Sequence, residues 1–266
     1  MTMHDVVTTG EDFEYRSLLA ATWDLFRGDT SNWADRFFFR DMIREYGEPA
    51  LDVGCGTGRL LLDFMADGID IDGVDNSPEM LAQCMEKARR LGLTPMVYQQ
   101  AMEALNLPRR YQTIIVPSST FQLLTDLASA RYAMERFHAH LKPDGVLVMP
   151  FMLIWKEGDP LHGEWKQTGE KVRPEDGALA RRWSRADYDL ENQLEHTEDR
   201  YKLSLNGEVI AAEHHRRSPA TRWYTHPQAT RLYGETGLTD ICLFSEFTHN
   251  PASEADQMFC VLGKKG

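Results

Sequence analysis

The segment Leu51-Asp52-Val53-Gly54-Cys55-Gly56-Thr57-Gly58 places three glycines directly after a short apolar run. Glycine at that density in a turn lets the backbone enter left-handed conformations and approach a ligand closely. A dinucleotide fingerprint needs a further glycine where Arg59 stands, and a phosphate-binding loop needs Lys followed by Ser or Thr after the last glycine. Neither pattern is present. The turn is therefore suited to cradle a ligand other than a pyrophosphate, the alternative being a tight turn with no ligand. Asp75 follows Gly54 by about 20 positions, in Gly73-Val74-Asp75-Asn76-Ser77-Pro78. A carboxylate at the end of a second strand can accept from both hydroxyls of a ribose; the alternative is a surface or helix-capping Asp.

These residues need a scaffold of alternating strands and helices, and the chain supplies one. Ala50–Val53 reads as a strand, Arg59–Ala66 as a helix and Ile69–Val74 as the next strand. Ser77, Pro78 and Glu79 supply an N-cap hydroxyl, a first-position proline and a first-turn acid, and Gly92 ends that helix. Pro95–Gln99 and Thr113–Val116 are the third and fourth strands, Asp126–Leu141 is a helix, Lys142–Gly145 a turn and Val146–Phe151 the fifth strand. Such an order predicts a parallel, doubly wound α/β sheet. Ahead of it, Glu11–Tyr46 reads as two helical pieces broken near Gly28-Asp29-Thr30.

The pattern then changes. Leu179–Tyr188, Leu194–Leu205 and Glu208–Arg217 have no helical period and read as an antiparallel meander, with Asn206-Gly207 as a hairpin turn. Thr225 and Gln228 form a capping box for a helix ending near Gly237. Thr239–Phe247 and Gln257–Gly263 follow as strands with no helix between them, which predicts an antiparallel pair at the sheet edge. The expected organisation is an N-terminal helical lid (1–47), a core (48–151 and 225–266) and an inserted antiparallel subdomain covering the substrate (152–224).

Composition narrows the function. The 266 residues carry 29 basic and 41 acidic side chains, a net charge of −12. That balance argues against binding a phosphate backbone, so no nucleic-acid partner is expected. Cys55, Cys84, Cys242 and Cys260 form no CxxC pair, and no histidines stand at metal-binding spacing, so no metal is expected. Met1–Gly10 is polar, without the pattern of a secretory leader. The longest apolar run, Val146–Trp155, is interrupted by Pro150 and too short to span a bilayer. The expectation is a cytoplasmic protein with no membrane partner.

Leu51–Gly58, Gly73–Leu81 and Leu141–Val148, taken in order and spacing, resemble the class I S-adenosylmethionine-dependent methyltransferases of the small-molecule type. The resemblance covers roughly Glu48–Phe151 and resumes at Thr225. It implies a Rossmann-like seven-stranded sheet in the order 3-2-1-4-5-7-6, strand 7 antiparallel, and S-adenosylmethionine as cofactor. Gly54 and Gly56 would face the donor's methionine and sugar, and Asp52 would support the loop and reach the methionine ammonium through water. Asp75 would take the ribose hydroxyls and Asn76 would lie against the adenine. Where many members place an adenine-binding Asp, this chain has Ala101, which shifts that task to Met102 or Glu103. Pro117 would border the donor, and Ser118 and Ser119 would sit beside the transferable methyl and hydrogen-bond a small acceptor, the alternative being backbone capping by their hydroxyls. The Asn or Asp and Pro-Pro-aromatic motif of families acting on nucleic-acid or glutamine amino groups is missing at Val116–Phe121.

Methyl transfer to a small-molecule acceptor is the function these observations favour, with oxygen, nitrogen and carbon open as the atom methylated. A non-catalytic S-adenosylmethionine-binding module and a nucleotide-cofactor oxidoreductase are the alternatives. Tyr15, Trp23 and Trp33 are candidates for a lid, or for plain core. Tyr15, His214 and His215 are candidates for a general base if the acceptor is a hydroxyl. Within the basic meander (Arg181, Arg182, Arg185, His214, His215, Arg216, Arg217), most side chains are expected to be solvated and a minority to face an anionic group. Arg222 and Tyr224, flanking Trp223, are the candidate acceptor-site residues, with an aromatic corner as the alternative. The meander suits a lid or the interface of a homodimer equally well.

Overall fold

The computed structural model describes Val7–Thr8 and Tyr15–Gly266. The expectations for the rest of Met1–Gly10, and for the start of the first helix at Glu11–Glu14, lie outside the described residues. The chain divides into two compact units. One comprises Thr30–Ile154 and Trp223–Gly266, the other the residues up to Asp29 with Trp155–Arg222. This boundary falls inside the N-terminal helical stretch, at the Gly28-Asp29-Thr30 break.

In chain order the elements are β1 (Val7–Thr8), α1 (Ser17–Ala21), α2 (Trp23–Arg27), α3 (Ala34–Tyr46), β2 (Ala50–Val53), α4 (Leu61–Ala66), β3 (Ile71–Asp75), α5 (Pro78–Leu91), β4 (Val97–Gln99), β5 (Tyr111–Ile115), α6 (Leu127–His140) and β6 (Leu141–Met152). They continue with β7 (Lys166–Val172), β8 (Leu179–Asp189), β9 (Leu194–Leu205), β10 (Glu208–Arg222), α7 (His226–Glu235), β11 (Leu238–Ser245) and β12 (Met258–Lys265). Single 3-10 turns lie at Met102–Ala104 and Thr120–Leu123.

The first unit is a seven-stranded sheet in the order β11-β12-β6-β5-β2-β3-β4, with β12 antiparallel to β6. This is the order 3-2-1-4-5-7-6 expected from the sequence. Successive strand residues point to opposite faces, and both faces are covered. Ala50, Ile71, Ile115, Val148 and Leu262 pack with α3, α4 and α5. On the other face Leu51, Val74, Ile114, Leu147 and Val261 pack with α6 and α7. Burial on both faces explains why these strands read as near-continuous apolar runs.

The local signals act as expected. Ser77 Oγ accepts from Met80 N–H at 3.1 Å, and Gly92 ends α5 in the left-handed conformation. The capping box at Thr225 and Gln228 opens α7. Most boundaries agree within two residues, but β10 runs on to Arg222 instead of ending at Arg217, and β6 starts early. Lys142–Gly145 does not separate α6 from a later strand; β6 begins at Leu141, which pairs with Tyr111, and the next strand contacts join Val146 to Thr113. The turn is thus an excursion within β6, and Asp144 takes a positive φ of 62° there.

The second unit is a five-stranded sheet, order β1-β10-β9-β8-β7. The three strands of the expected meander are present as β8, β9 and β10. Asn206 and Gly207 connect paired Leu205 and Glu208 with φ of 52° and 85°, the left-handed pair a two-residue hairpin favours. The sheet also has β7, which the sequence does not announce. Lys166–Val172 is almost wholly exposed and polar, so no alternation marks it. On one face Ala180, Tyr201 and Leu203 hold Leu18 and Leu19 of α1. No helix of the described residues is long and apolar enough to cross a membrane.

Candidate active site

The glycine-rich turn and the end of β3 are tied together by one carboxylate. Gly54 and Cys55 N–H both donate to Val74 O, at 2.7 and 3.0 Å. Asp75 Oδ2 accepts from Gly56 N–H and Asp75 Oδ1 from Ser77 N–H, each at 2.9 Å. Asp75 therefore fixes the shape of both loops. Burial raises the Asp75 pKa, and the backbone N–H groups work against that rise.

Gly54 meets the most stringent geometry. Its φ is +73°, and a Cβ built there lies 2.3 Å from Thr120 Cγ2. The turn after β5 thus closes over the turn after β2 through a contact that only glycine permits. Ser118, in that same turn, holds a positive φ of 58°, an uncommon conformation for a side-chain-bearing residue.

Behind the loop, Asp52 is buried in β2, and its Oδ1 has no hydrogen-bond partner. Desolvation drives its pKa up to about 7, partly opposed by Arg59 and reinforced by Asp75. An unsatisfied buried carboxylate oxygen is costly and fits a cationic group in the cradle, as the ammonium of the expected donor requires. The sign of the pH dependence follows. The folded pKa exceeds the unfolded one, so Asp52 supports the ligand-free fold below about pH 4, and this support is lost as pH rises to about 7. Urea unfolding of wild type between pH 5 and 8 should show a loss of at most about 1.4 kcal/mol per pH unit from this group. Asp52→Asn should lack that slope; an identical slope in the variant would remove Asp52 as its source.

Arg59, at the end of the loop, donates from Nη1 to Asp35 Oδ1 at 3.1 Å and from Nη2 to Asp35 Oδ2. Its guanidinium lies 5.2 Å from the centre of the Trp33 ring. Asp35 stands in the first turn of α3, where a negative charge is favoured. This ion pair joins the glycine loop to the start of α3.

Beside it lies a cavity of roughly 430 Å³ within the same unit. Trp33, Ala34 and Asp35 form one side and Ser118 another. Pro150 and Met152 at the end of β6 close it with Phe247 and Met258. The volume is in the range of small-molecule sites.

Most of the sequence-predicted donor residues gather along one edge of the sheet, outside the described lining of the cavity. Asp52, Gly54, Gly56, Asp75, Asn76 and Pro117 stand at or just past the carboxyl ends of β2, β3 and β5, with Ser118 and Ser119 following Pro117. Ala101 and Met102 enter the 3-10 turn after β4, half-buried, and Gln100 N–H holds that end to Asp75 O at 3.1 Å. The acceptor candidates disperse. Tyr224 is buried, its ring 5.9 Å from that of Phe121 and 5.7 Å from that of Phe151. Arg222 belongs to the second unit, where it donates to Asn192 O at 2.7 Å.

Tyr15, in that second unit, packs edge-on against Trp23 at 4.9 Å. His214 Nε2 meets Glu198 Oε2 at 2.8 Å, and His215 Nε2 meets Glu213 Oε2 at 2.8 Å. Arg181, Arg182 and Arg185 pair with Glu170, Asp199 and Glu198. Among the described residues no group of His, Cys, Asp and Glu is placed to hold a metal ion. Two features escape sequence reading, the Asp35–Arg59 pair and the Thr120 contact, because each joins segments far apart in the chain.

Residues 50–145 match the family model of a methyltransferase domain. The dTDP-3-amino-3,6-dideoxy-alpha-D-glucopyranose N,N-dimethyltransferase of Streptomyces fradiae is 30% identical over 152 residues, 55% of this chain and 58% of that protein. The chain thus matches little more than half the length of this relative. A glycine/sarcosine N-methyltransferase of Aphanothece halophytica is 24% identical over 263 residues, 95% of this chain and 90% of the relative. Among solved structures, the sugar N-methyltransferase from Streptoalloteichus sp. ATCC 53650 superposes with a TM-score of 0.70 at 22% identity, covering 97% of this chain and 98% of the other. That likeness shows a common fold.

Proposed function

We propose that this chain, which belongs to the class I S-adenosylmethionine-dependent methyltransferases, transfers the methyl group to an amino nitrogen of a small molecule. When bound, S-adenosylmethionine supplies an activated sulfonium methyl. Asp75 receives the ribose hydroxyls, and Asp52 faces the ammonium. Asn76, Ala101 and Met102 border the adenine, while Gly54, Gly56 and Pro117 line the approach. The acceptor occupies the cavity beside Ser118, so the contribution of the protein is to hold the nitrogen on the methyl and to exclude water. Nitrogen needs no strong base as acceptor, and the reading therefore places no catalytic demand on Tyr15, His214 or His215.

The observation that carries the choice of acceptor is the cavity lining. Among the described residues that line it, the one ionisable residue is Asp35, and none is Lys, Arg or His. An amine on a largely apolar frame, as on a deoxy sugar, suits such walls. A free amino acid does not, because its carboxylate needs a cation and Arg59 is held by both oxygens of Asp35. The curated relatives named for N-methylation of amino sugars support this reading. The test is transfer of labelled methyl to a 3-amino-3-deoxyhexose, its 3-hydroxy counterpart and glycine. At least tenfold faster transfer to the amino sugar is expected; equal transfer to the hydroxy sugar, or preference for glycine, would overturn the reading.

Asp75 gives a further expectation. Asp75→Ala should weaken S-adenosylhomocysteine binding by about 1.5–3 kcal/mol, as for hydrogen bonds to a charged group. The ligand-free fold should also lose about 1–3 kcal/mol, since the N–H groups of Gly56 and Ser77 lose their acceptor. Asp75→Asn, which keeps one oxygen, should lose less of both. Calorimetric titration together with urea unfolding checks the pair of effects, and unchanged affinity in the Ala variant would refute the ribose role.

A further inference from the structure

We propose that Asp35, fixed by Arg59, is the residue that selects an amino group in the acceptor and aims it. This inference rests on the cavity being the acceptor site, as proposed above. The argument begins with what the cavity offers. Trp33, Ala34, Pro150, Met152, Phe247 and Met258 present carbon surface, with backbone groups between. Among the described lining residues, Ser118 carries a hydroxyl and Asp35 the one formal charge. The side chain of Asp35 is 6% exposed and that of Arg59 11%. A carboxylate held that dry is an acceptor only, and the Arg59 fork uses one lone pair on each oxygen. The lone pairs left over seek N–H donors, and a hydrogen bond to a charged acceptor in a dry site is among the strong ones.

An amine meets that need and keeps its reactive lone pair. A neutral primary amine donates one N–H to Asp35, and its nitrogen lone pair is then turned by the bond it has made. A hydroxyl has a single hydrogen, and an ether or a carbon nucleophile offers no such donor. Against an ether or a carbon nucleophile the site discriminates by leaving a buried acceptor unpaired, a penalty larger than the worth of an ordinary contact; a hydroxyl can give its one hydrogen to Asp35 but lacks the positive charge that a protonated amine brings to the carboxylate. Arg59 acts through Asp35 as a positioning residue. Its guanidinium is stacked on Trp33 and attached to the glycine loop, so the carboxylate is held in a fixed orientation relative to Gly54–Gly58. The same ion pair thus connects the acceptor wall to the donor cradle.

The test uses two probes of one shape, cyclohexylamine and cyclohexanol, titrated into the full-length protein saturated with S-adenosylhomocysteine. Wild type should bind the amine at least tenfold more tightly. Asp35→Asn, in which the side-chain oxygen still accepts from Arg59, should reduce that ratio to about twofold or less while S-adenosylhomocysteine affinity changes by less than tenfold. Where the single variant fails to fold, Asp35→Asn with Arg59→Gln replaces the ion pair by a neutral pair and avoids an uncompensated buried charge; the same loss of preference is expected. Equal binding of the two probes by wild type, or an unchanged preference in the variants, overturns the role of Asp35. Failure of the nitrogen-acceptor reading looks different: the amine preference persists in binding while labelled methyl goes to the hydroxy sugar.

Discussion

A chain reduced to Thr30–Ile154 joined through a short Gly-Ser linker to Trp223–Gly266 is expected to bind S-adenosylhomocysteine within about tenfold of the full-length protein, or 1.4 kcal/mol, and to transfer no methyl. The reason is the distribution of residues between the two units. Asp52, Gly54, Gly56, Asp75 and the turn at Pro117 all belong to the unit that is kept. The unit removed holds none of them and none of the described residues that line the cavity; we propose that turnover nonetheless requires it, to exclude water during transfer. Excising the whole unit is cleaner than cutting out residues 179–217, which would strip Leu18 and Leu19 of Ala180, Tyr201 and Leu203 and expose an apolar patch. Solubility and thermal unfolding are measured first, then donor titration and turnover. A soluble truncated protein that methylates its acceptor at the full-length rate would assign the antiparallel unit to assembly instead.

Gly54→Val should be nearly as damaging, by a different route. The substituent enters at a φ of +73° and meets Thr120 Cγ2 at 2.3 Å. Left-handed strain costs about 1–2 kcal/mol and overpacking about 1–3 kcal/mol, so a loss of about 2–5 kcal/mol in stability is expected. Donor binding should fall below detection, because either the glycine turn or the Thr120 turn must move out of the cradle. Gly54→Ala should share most of the defect, since the clash belongs to Cβ. Combining Gly54→Ala with Thr120→Ala should recover part of the steric loss and none of the φ strain. A double-mutant cycle read by urea unfolding measures the coupling; strict additivity would show that the contact between the two turns does not matter.

What could be read from the sequence depended on the range of the interaction. Ser77 and Gly92 at the ends of α5, the Thr225–Gln228 box and the Asn206-Gly207 hairpin are set by neighbours in the chain, and each is where its residues imply. The strand order came from the family resemblance carried by Leu51–Gly58, Gly73–Leu81 and Leu141–Val148, because right-handed crossovers alone leave several orders open. The excursion at Lys142–Gly145 was legible as a turn but not as part of β6, because pairing to Tyr111 on one side and Thr113 on the other is a tertiary fact. Strand β7 was hidden by its exposed polar residues, its partner being β8 and not a core. The Asp35–Arg59 pair was illegible for the same reason: a carboxylate in the first turn of α3 reads as a helix-dipole partner until the guanidinium from the glycine loop is seen against it.

The donor cradle is the claim on which everything else depends, and thermal and urea unfolding with three nucleotides tests it most directly. S-adenosylmethionine or S-adenosylhomocysteine at a hundredfold excess over Kd should stabilise the protein by about 2.7 kcal/mol. NAD and ATP at the same concentration should do far less, since Arg59 stands where a dinucleotide turn needs glycine and no P-loop lysine follows Gly58. Equal stabilisation by all three, or none by the sulfonium donor, would contradict the account.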